Sequence, residues 1–418
     1  MTPRVEKAIY LSIIASLFIQ FGKHFWPYFA FVSGIRVDYL SPTLYVSDIL
    51  IVLLLLVVIK NRKYSFLKKL LNSSVLILFG ILLFGVIFSK SVPAGLFGVL
   101  KVFEFVFFGI YTCVHFRDTM RKAFLYVLGI GALVVSLIGM VQYYLQHSLG
   151  GVFYFLGERS FNASTIDIAT FSFQGTSILR SYATFPHPNV FAFFLLFSLI
   201  FLLVNQSLFK NKLFHFSTIP FIVIALLLTF SRVTLMTAAL LVIIHVLSQG
   251  RVSLRKVGLL CTPFVLLGIL FFFQRLSPQS ILRDLGYRAE LTILYWDMFL
   301  KSPLFGVGLL NSFINQIPFQ KTVSPILLQP VHNIYLYSLV QTGILGFLTA
   351  FFYLVKIIRK SCSSLKRAKT NDKLWARAVL YSLLAVLFIG FFDHFFLTLQ
   401  QGQLMLALIV GLSLGKKT

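Results

Sequence analysis

The sequence predicts an all-α, polytopic integral membrane bundle of about twelve transmembrane helices, with a large loop between helices 9 and 10. Three observations predict it. Charged residues make up 12% of the 418 residues, against 58% hydrophobic, where a soluble domain carries roughly a quarter charged. Apolar runs of spanning length, about 17–25 residues, recur between polar breaks. The basic residues gather in alternate breaks, as they do in short cytoplasmic loops. Folding alone cannot hide so much apolar surface from water, so lipid is its solvent.

The runs fall at 8–23, 42–59, 72–89, 94–114, 122–146, 188–206, 215–231, 232–248, 256–273, 331–355, 374–392 and 397–415. Twelve spans put both termini on one side. That side holds Arg4 and Lys7, Lys60 to Lys69, Arg117 to Lys122, Lys210 and Lys212, Arg251 to Lys256, the basic loop 356–377, and Lys416 and Lys417. This concentration makes the N- and C-termini cytoplasmic. It also accounts for the net charge of +25, which in a soluble chain would suggest nucleic acid; no nucleic-acid partner is expected here. No small-residue cleavage site follows Met1–Lys7, so the first helix is expected to be retained. Cys113, Cys261 and Cys362 show no paired or metal-ligand spacing, so neither a disulfide nor a zinc site is expected. With no repeat and no low-complexity linker, residues 1–418 read as a single membrane domain.

Two outer segments, 147–187 and 274–330, are too long to be turns, and long structured loops more often carry function. The second reads as a loop subdomain with an amphipathic helix near 288–300. Its Tyr295 and Trp296 suit the headgroup layer. Pro303 and Gly306-Val307-Gly308 end that helix.

An unusual set of polar groups meets on the outer face. Arg180, His187 and Asn189 precede the sixth span, and Ser231 and Arg232 tip the hairpin after the seventh. Arg288 and Glu290 lie in the large loop. His332 and Asn333 open the tenth span; Asp393 and His394 close the eleventh, followed by Gln400 and Gln401. Arginines outside run against the positive-inside bias and ask for a reason. The bland readings are local ones. Arg232 could cap its hairpin and snorkel, Arg288 could pair with Glu290, His187 between two prolines could be a rigid turn, and Asp393-His394 could be a supporting pair. The sharper reading makes Arg232, Arg288 and Arg180 ligands of an anion such as a phosphate. His332, at the lip of a span with Gly343 and Gly346 behind it as a packing face, then becomes a reactive group on a rigid support. Lys101 and Glu104 lie three apart in the fourth span and read either as an internal ion pair or as part of a proton or ion path. No metal site and no cofactor are expected.

The pattern His332-Asn333, nine residues, then Gly343-x-x-Gly346 resembles the signature of the O-antigen ligase and Wzy-type O-antigen polymerase superfamily. Thr184 to Asn189, Ser231-Arg232, and Arg288 with Trp296 leading into Pro303 to Gly308 agree in order, over about residues 175–350. Ala183 stands where relatives often carry glycine, and the first 150 residues match only in hydropathy. The resemblance implies a GT-C-like, metal-independent membrane glycosyltransferase in the cytoplasmic (inner) membrane, with an extracytoplasmic active site. Its donor would be a glycan on a polyprenyl-diphosphate carrier such as undecaprenyl diphosphate. Its acceptor would be a hydroxyl of a lipid (as in lipopolysaccharide), a polysaccharide or a protein. His332 would be the base and Arg232 and Arg288 would clamp the diphosphate. Arg180, Asn333, His187, Asn189 and Glu290 would surround the substrate. Ligase, Wzy-type polymerase and protein O-glycosyltransferase remain alternatives. A membrane transporter is the alternative of another class, suggested by twelve spans and Lys101/Glu104. Against it stand the scarcity of intramembrane acids, the lack of a repeat, and polar groups gathered at one surface rather than the midplane.

Overall fold

The computed structural model describes residues 3–61, 72–166, 168–173, 176–209, 211–248, 278–320 and 327–415, together with Phe66 and Lys68. The ninth expected span, 256–273, lies outside the described residues, as do Cys261 and residues 274–277 and 321–326 of the large loop.

The elements in chain order begin with helix α1 (Pro3–Ala15), strands β1 (Gly22–His24), β2 (Phe31–Val32), β3 (Ile35–Arg36) and β4 (Thr43–Tyr45), and helix α2 (Val46–Lys60). Helices α3 (Ser73–Ile87), α4 (Val92–His115) and α5 (Asp118–Leu145) follow, then strands β5 (Thr170–Phe173) and β6 (Thr176–Leu179). Helices α6 (Pro188–Val204), α7 (Lys212–Leu228), α8 (Arg232–Leu247), α9 (Pro278–Lys301) and α10 (Ser312–Asn315) lead to the long α11 (Ile334–Arg367). The chain closes with α12 (Thr370–Ile389), α13 (Phe395–Thr398) and α14 (Gln400–Leu414). Among the described residues the fold is thus all-α, apart from three two-stranded antiparallel ribbons.

Each expected run inside the described residues overlaps a helix, but 8–23 is α-helical only to Ala15 and ends in β1. Among them, three helices are long and apolar enough to cross a membrane by length and composition: α4, α5 and α11. Several others, such as α6, α7 and α8, are shorter apolar helices. At about 1.5 Å per residue, a 17-residue helix such as α6 covers about 25 Å, short of a hydrocarbon core of about 30 Å.

Side-chain size decides how the helices approach. α6 is buried along most of its length, as expected of a helix that is apolar on every face. Pro188 sits in its first turn, where a missing N–H costs nothing. α4 and α14 meet at glycines: a Cβ on Gly411 would lie 2.5 Å from the Gly109 carbonyl oxygen. Such small residues let membrane helices pack backbone to backbone.

α11 differs from the uninterrupted helix expected behind His332. Gly343, at φ 63 and ψ −175, breaks it. The Gly343/Gly346 pair is therefore not a smooth packing face. The break frees backbone groups, and the segment Pro303–Gly308 satisfies them: Val307 N–H donates to Val340 O (2.9 Å) and Gly308 N–H to Gln341 O (3.1 Å). In return, Ile344 N–H donates to Pro303 O (2.8 Å). An apolar medium tolerates irregular backbone only when its polar groups are paired in this way. The close approach requires glycine on both sides, since a Cβ on Gly306 would lie 2.5 Å from Gly343 N.

The segment 22–45, between α1 and α2, also carries structure that the sequence reading passed over. β1 pairs with β4 and β2 with β3. Ala30, Val32, Val37 and Leu40 bury themselves against Phe313 and Leu328, just upstream of His332. The hairpin and the large loop form one cap over the cavity described next.

Candidate functional site

The site is built where α6, α11 and the turn after α12 meet. Asn333 caps α11 by accepting from Tyr335 N–H (2.9 Å) and Leu336 N–H (3.0 Å). Its Nδ2 donates to Phe391 O (3.3 Å), and Ile334 N–H donates to Gly390 O (2.8 Å). These bonds stitch the start of α11 to the turn holding Asp393 and His394. The His332 and His394 rings lie 5.1 Å apart, and His394 meets the edge of Tyr39 at 5.6 Å.

A hydrogen-bonded chain runs behind the histidines. His394 Nδ1 lies 2.7 Å from Thr398 Oγ1. Asp393 Oδ1 accepts from His394 N–H (2.7 Å) and Oδ2 from Asn189 Nδ2 (2.7 Å). Asn189 Oδ1 accepts from Arg180 (2.8 Å), whose Nε donates to Thr229 O (2.7 Å) in the turn between α7 and α8. His187 caps α6, its Nδ1 accepting from Asn189 N–H (3.2 Å). Arg288 on α9 donates to Phe392 O (3.2 Å). Against this paired background, His332 Nδ1 is buried and has no partner among the described residues.

The electrostatics keep the imidazoles neutral. Burial, then the neighbouring His394 and Arg288, push His332 down to about 3, with Asp393 opposing. Burial and Arg180 do the same to His187. His394 is lowered by burial, against the pull of Asp393. Burial would raise Asp393, but attraction to the surrounding imidazoles in their protonated form, with the Asn189 amide, holds it below the usual carboxylate range. The result is a neutral His332, its Nδ1 unpartnered among the described residues, near a buried carboxylate.

His332, Asp393 and His394 have donor atoms within 4.8 Å of one another, which could admit a cation. Both Asp393 oxygens and Nδ1 of His394 are engaged in hydrogen bonds that fix the orientation of the trio.

His187, His332, Asp393 and His394 line a cavity of about 1330 Å³. One end opens among His24, Arg36 and Arg159; the other is an apolar groove between α3, α4, α11 and α14, with Leu82, Phe105, Ala350 and Leu406 on its walls. Lys101 lies along it, held by Asp48 (3.0 Å) and Glu104 (2.7 Å). The ion pair expected from the sequence is thus a three-way contact, with Gln400 also donating to Asp48.

The structure brings together His332, Asn333, His187, Asn189, Arg180 and Arg288. It gives Arg180 and Asn333 supporting positions: Arg180 is buried and ties two turns together, and Asn333 spends both ends of its amide on backbone. Arg232 is the first residue of α8 and is exposed. Glu290 is exposed on α9, two residues past Arg288, and therefore about 200° around the helix from it. The described cavity wall includes none of Arg180, Arg232 and Arg288. Sequence reasoning missed Arg36 and Arg159, though the signal that singled out Arg180, an arginine on the outer side, applies equally to both. Asp393 and His394 belong to the centre rather than to its surroundings.

No protein of curated function matches this chain. Residues 216–351, which run from α7 through the broken helix α11 and include Arg232, Arg288, His332 and Gly343, match the family model described as O-antigen ligase. Over those residues the chain is similar to the O-antigen ligase family.

Proposed function

We propose that this protein transfers a glycan from a polyprenyl-diphosphate carrier to an acceptor hydroxyl, with His332 as the general base. The observation that carries this reading is His332, which lines a cavity with a polar mouth and an apolar groove and whose buried Nδ1 has no partner among the described residues. The groove suits a polyprenyl chain, and the mouth leaves the glycan in water. The acceptor oxygen attacks the anomeric carbon as the bond from that carbon to the diphosphate oxygen breaks. The acceptor proton passes to His332, and polyprenyl diphosphate leaves with the bonding pair. Attack opposite the leaving group inverts the anomeric centre.

Charge develops on the diphosphate, and guanidinium groups are suited to stabilise it. Arg288 is the nearer candidate, because its charge is felt at His332. Arg232 is the second; it begins the helix that follows the turn fixed by Arg180. Donor binding also tunes the base. A dianionic neighbour raises the depressed affinity of His332 for a proton, so the base strengthens once the donor is seated. Asp393 stabilises the positive charge that forms on the ring. The extracytoplasmic face of the inner membrane is the side on which such a lipid-linked glycan meets its acceptor.

The test is reconstitution. Purified protein in liposomes, given a polyprenyl-diphosphate oligosaccharide and a hydroxyl acceptor, is expected to release polyprenyl diphosphate and form a product of inverted anomeric configuration by NMR. Consumption of donor with retained configuration would rule out single-step attack.

A further inference from the structure

The outer mouth of the cavity holds a second cluster of charged groups that the transfer chemistry leaves unused. Arg36, on β3, lies 4.5 Å over the Trp26 ring and 3.4 Å from Asp38. His24, on β1, stacks on Trp26 at 6.0 Å. Its Nδ1 is held by Thr43 (2.8 Å) and Ser41 (3.4 Å), which turns Nε2 to the remaining space. Arg159 approaches from the 147–187 segment and donates to Pro186 O (3.5 Å), next to His187. His24, Arg36, Asp38 and Arg159 line the cavity that His332 lines. Burial, opposed by Asp38 and aided by Arg159 and Arg36, holds His24 below its ordinary value, so these groups sense one another.

The charges do not balance. Two guanidiniums face one carboxylate. Asp38 is taken by Arg36, and the neighbouring Glu158 is buried and committed to Gln142 and the Leu149 and Gly150 N–H groups. No acidic partner of Arg159 appears among the described residues. The mouth is also lined with aromatic surface from Tyr154 and Tyr45. An arginine fork matches a carboxylate in two parallel hydrogen bonds, and ring faces suit the apolar side of a sugar.

Building on the transfer reading, we propose that Arg159 and Arg36, with His24, form a subsite for an acidic saccharide, a sugar bearing a carboxylate, at the outer mouth of the cavity. The subsite lies on the glycan side of His332, away from the groove assigned to the lipid tail. It selects the charge of the sugar that enters.

Saturation-transfer NMR on the purified full-length protein in detergent tests this, with glucuronic acid, glucose and inorganic phosphate as probes. Glucuronic acid is expected to bind and glucose to bind far more weakly. Arg159→Gln and Arg36→Gln are expected to weaken glucuronic acid binding about tenfold, the scale of one charge-assisted contact, with an unchanged thermal midpoint. Arg159→Lys, which keeps the charge and loses the fork, is expected to fall between. Equal binding of glucose and glucuronic acid, or wild-type binding by both glutamine variants, would overturn the proposal. Displacement of glucuronic acid by equimolar phosphate would assign the mouth to phosphate groups of a lipid and overturn it too. His332→Ala is expected to bind glucuronic acid normally. A protein that binds the sugar but transfers nothing would therefore contradict the transfer reading and leave this subsite standing.

Discussion

Asn189 at the start of α6 donates a 2.7 Å hydrogen bond to Asp393, 204 residues later in the chain. The same amide accepts from Arg180, so one side chain joins an arginine fixed to the α7–α8 turn to the carboxylate beside the two histidines. Asn189→Leu removes both bonds and leaves a buried charge on each side. The expected cost is about 1–3 kcal/mol or more, since each unpaired partner is charged. Thermal unfolding in detergent and the transfer rate should fall together.

Arg180 and Arg288 separate by the same logic. Arg180 is buried and bonded on two sides; Arg288 is exposed and donates one bond to a carbonyl. Arg180→Ala is expected to lower the thermal midpoint. Arg288→Ala is expected to leave it nearly unchanged while reducing kcat roughly 100-fold, as loss of a charge-stabilising donor does. A comparison of kcat with midpoint for the two variants checks the division.

Gly343→Ala is expected to abolish folded protein. Its φ of 63 with ψ near 180 is open to glycine almost alone, and a Cβ there would lie 2.3 Å from the Leu304 carbonyl. Gly346→Ala meets the Thr342 side chain instead, which can turn away, so a milder loss is expected. Yield and monodispersity on size exclusion would distinguish them.

Stability should depend on pH with a definite sign. His187, His332 and His394 bind protons less readily folded than unfolded. Below their ordinary value of about 6.5, the unfolded chain therefore takes up more protons, and folding weakens as pH falls from there toward 3. Asp393, held below its ordinary range, adds to the loss at the acid end. The thermal midpoint is expected to drop between pH 7 and pH 5, and His394→Gln to shallow that drop.

Much of this arrangement was legible in the sequence. Apolar runs located the helices, because lipid leaves the backbone little choice but to pair within each segment. The arginines and His332 pointed to the candidate site. The division of labour was not legible. Arg180 and Asn333 looked like ligands because they are polar and close to the site in sequence, yet their hydrogen bonds are local support. Nothing in the spacing of Asp393 and His394 says that their turn folds back onto the start of α11. The break at Gly343 was hidden for a related reason. A glycine in an apolar run reads equally as a packing contact or an interruption, and only the partner segment Pro303–Gly308 decides. The hairpin over 22–45 escaped because its strands are two or three residues long.

The role of His332 is tested most directly by single-turnover transfer from a polyprenyl-diphosphate glycan. His332→Ala and His332→Gln are compared with wild type at saturating donor. The transfer step is expected to fall about 10²–10⁴-fold, with donor binding and thermal midpoint near wild type. Transfer at the wild-type rate by either folded variant would contradict that role.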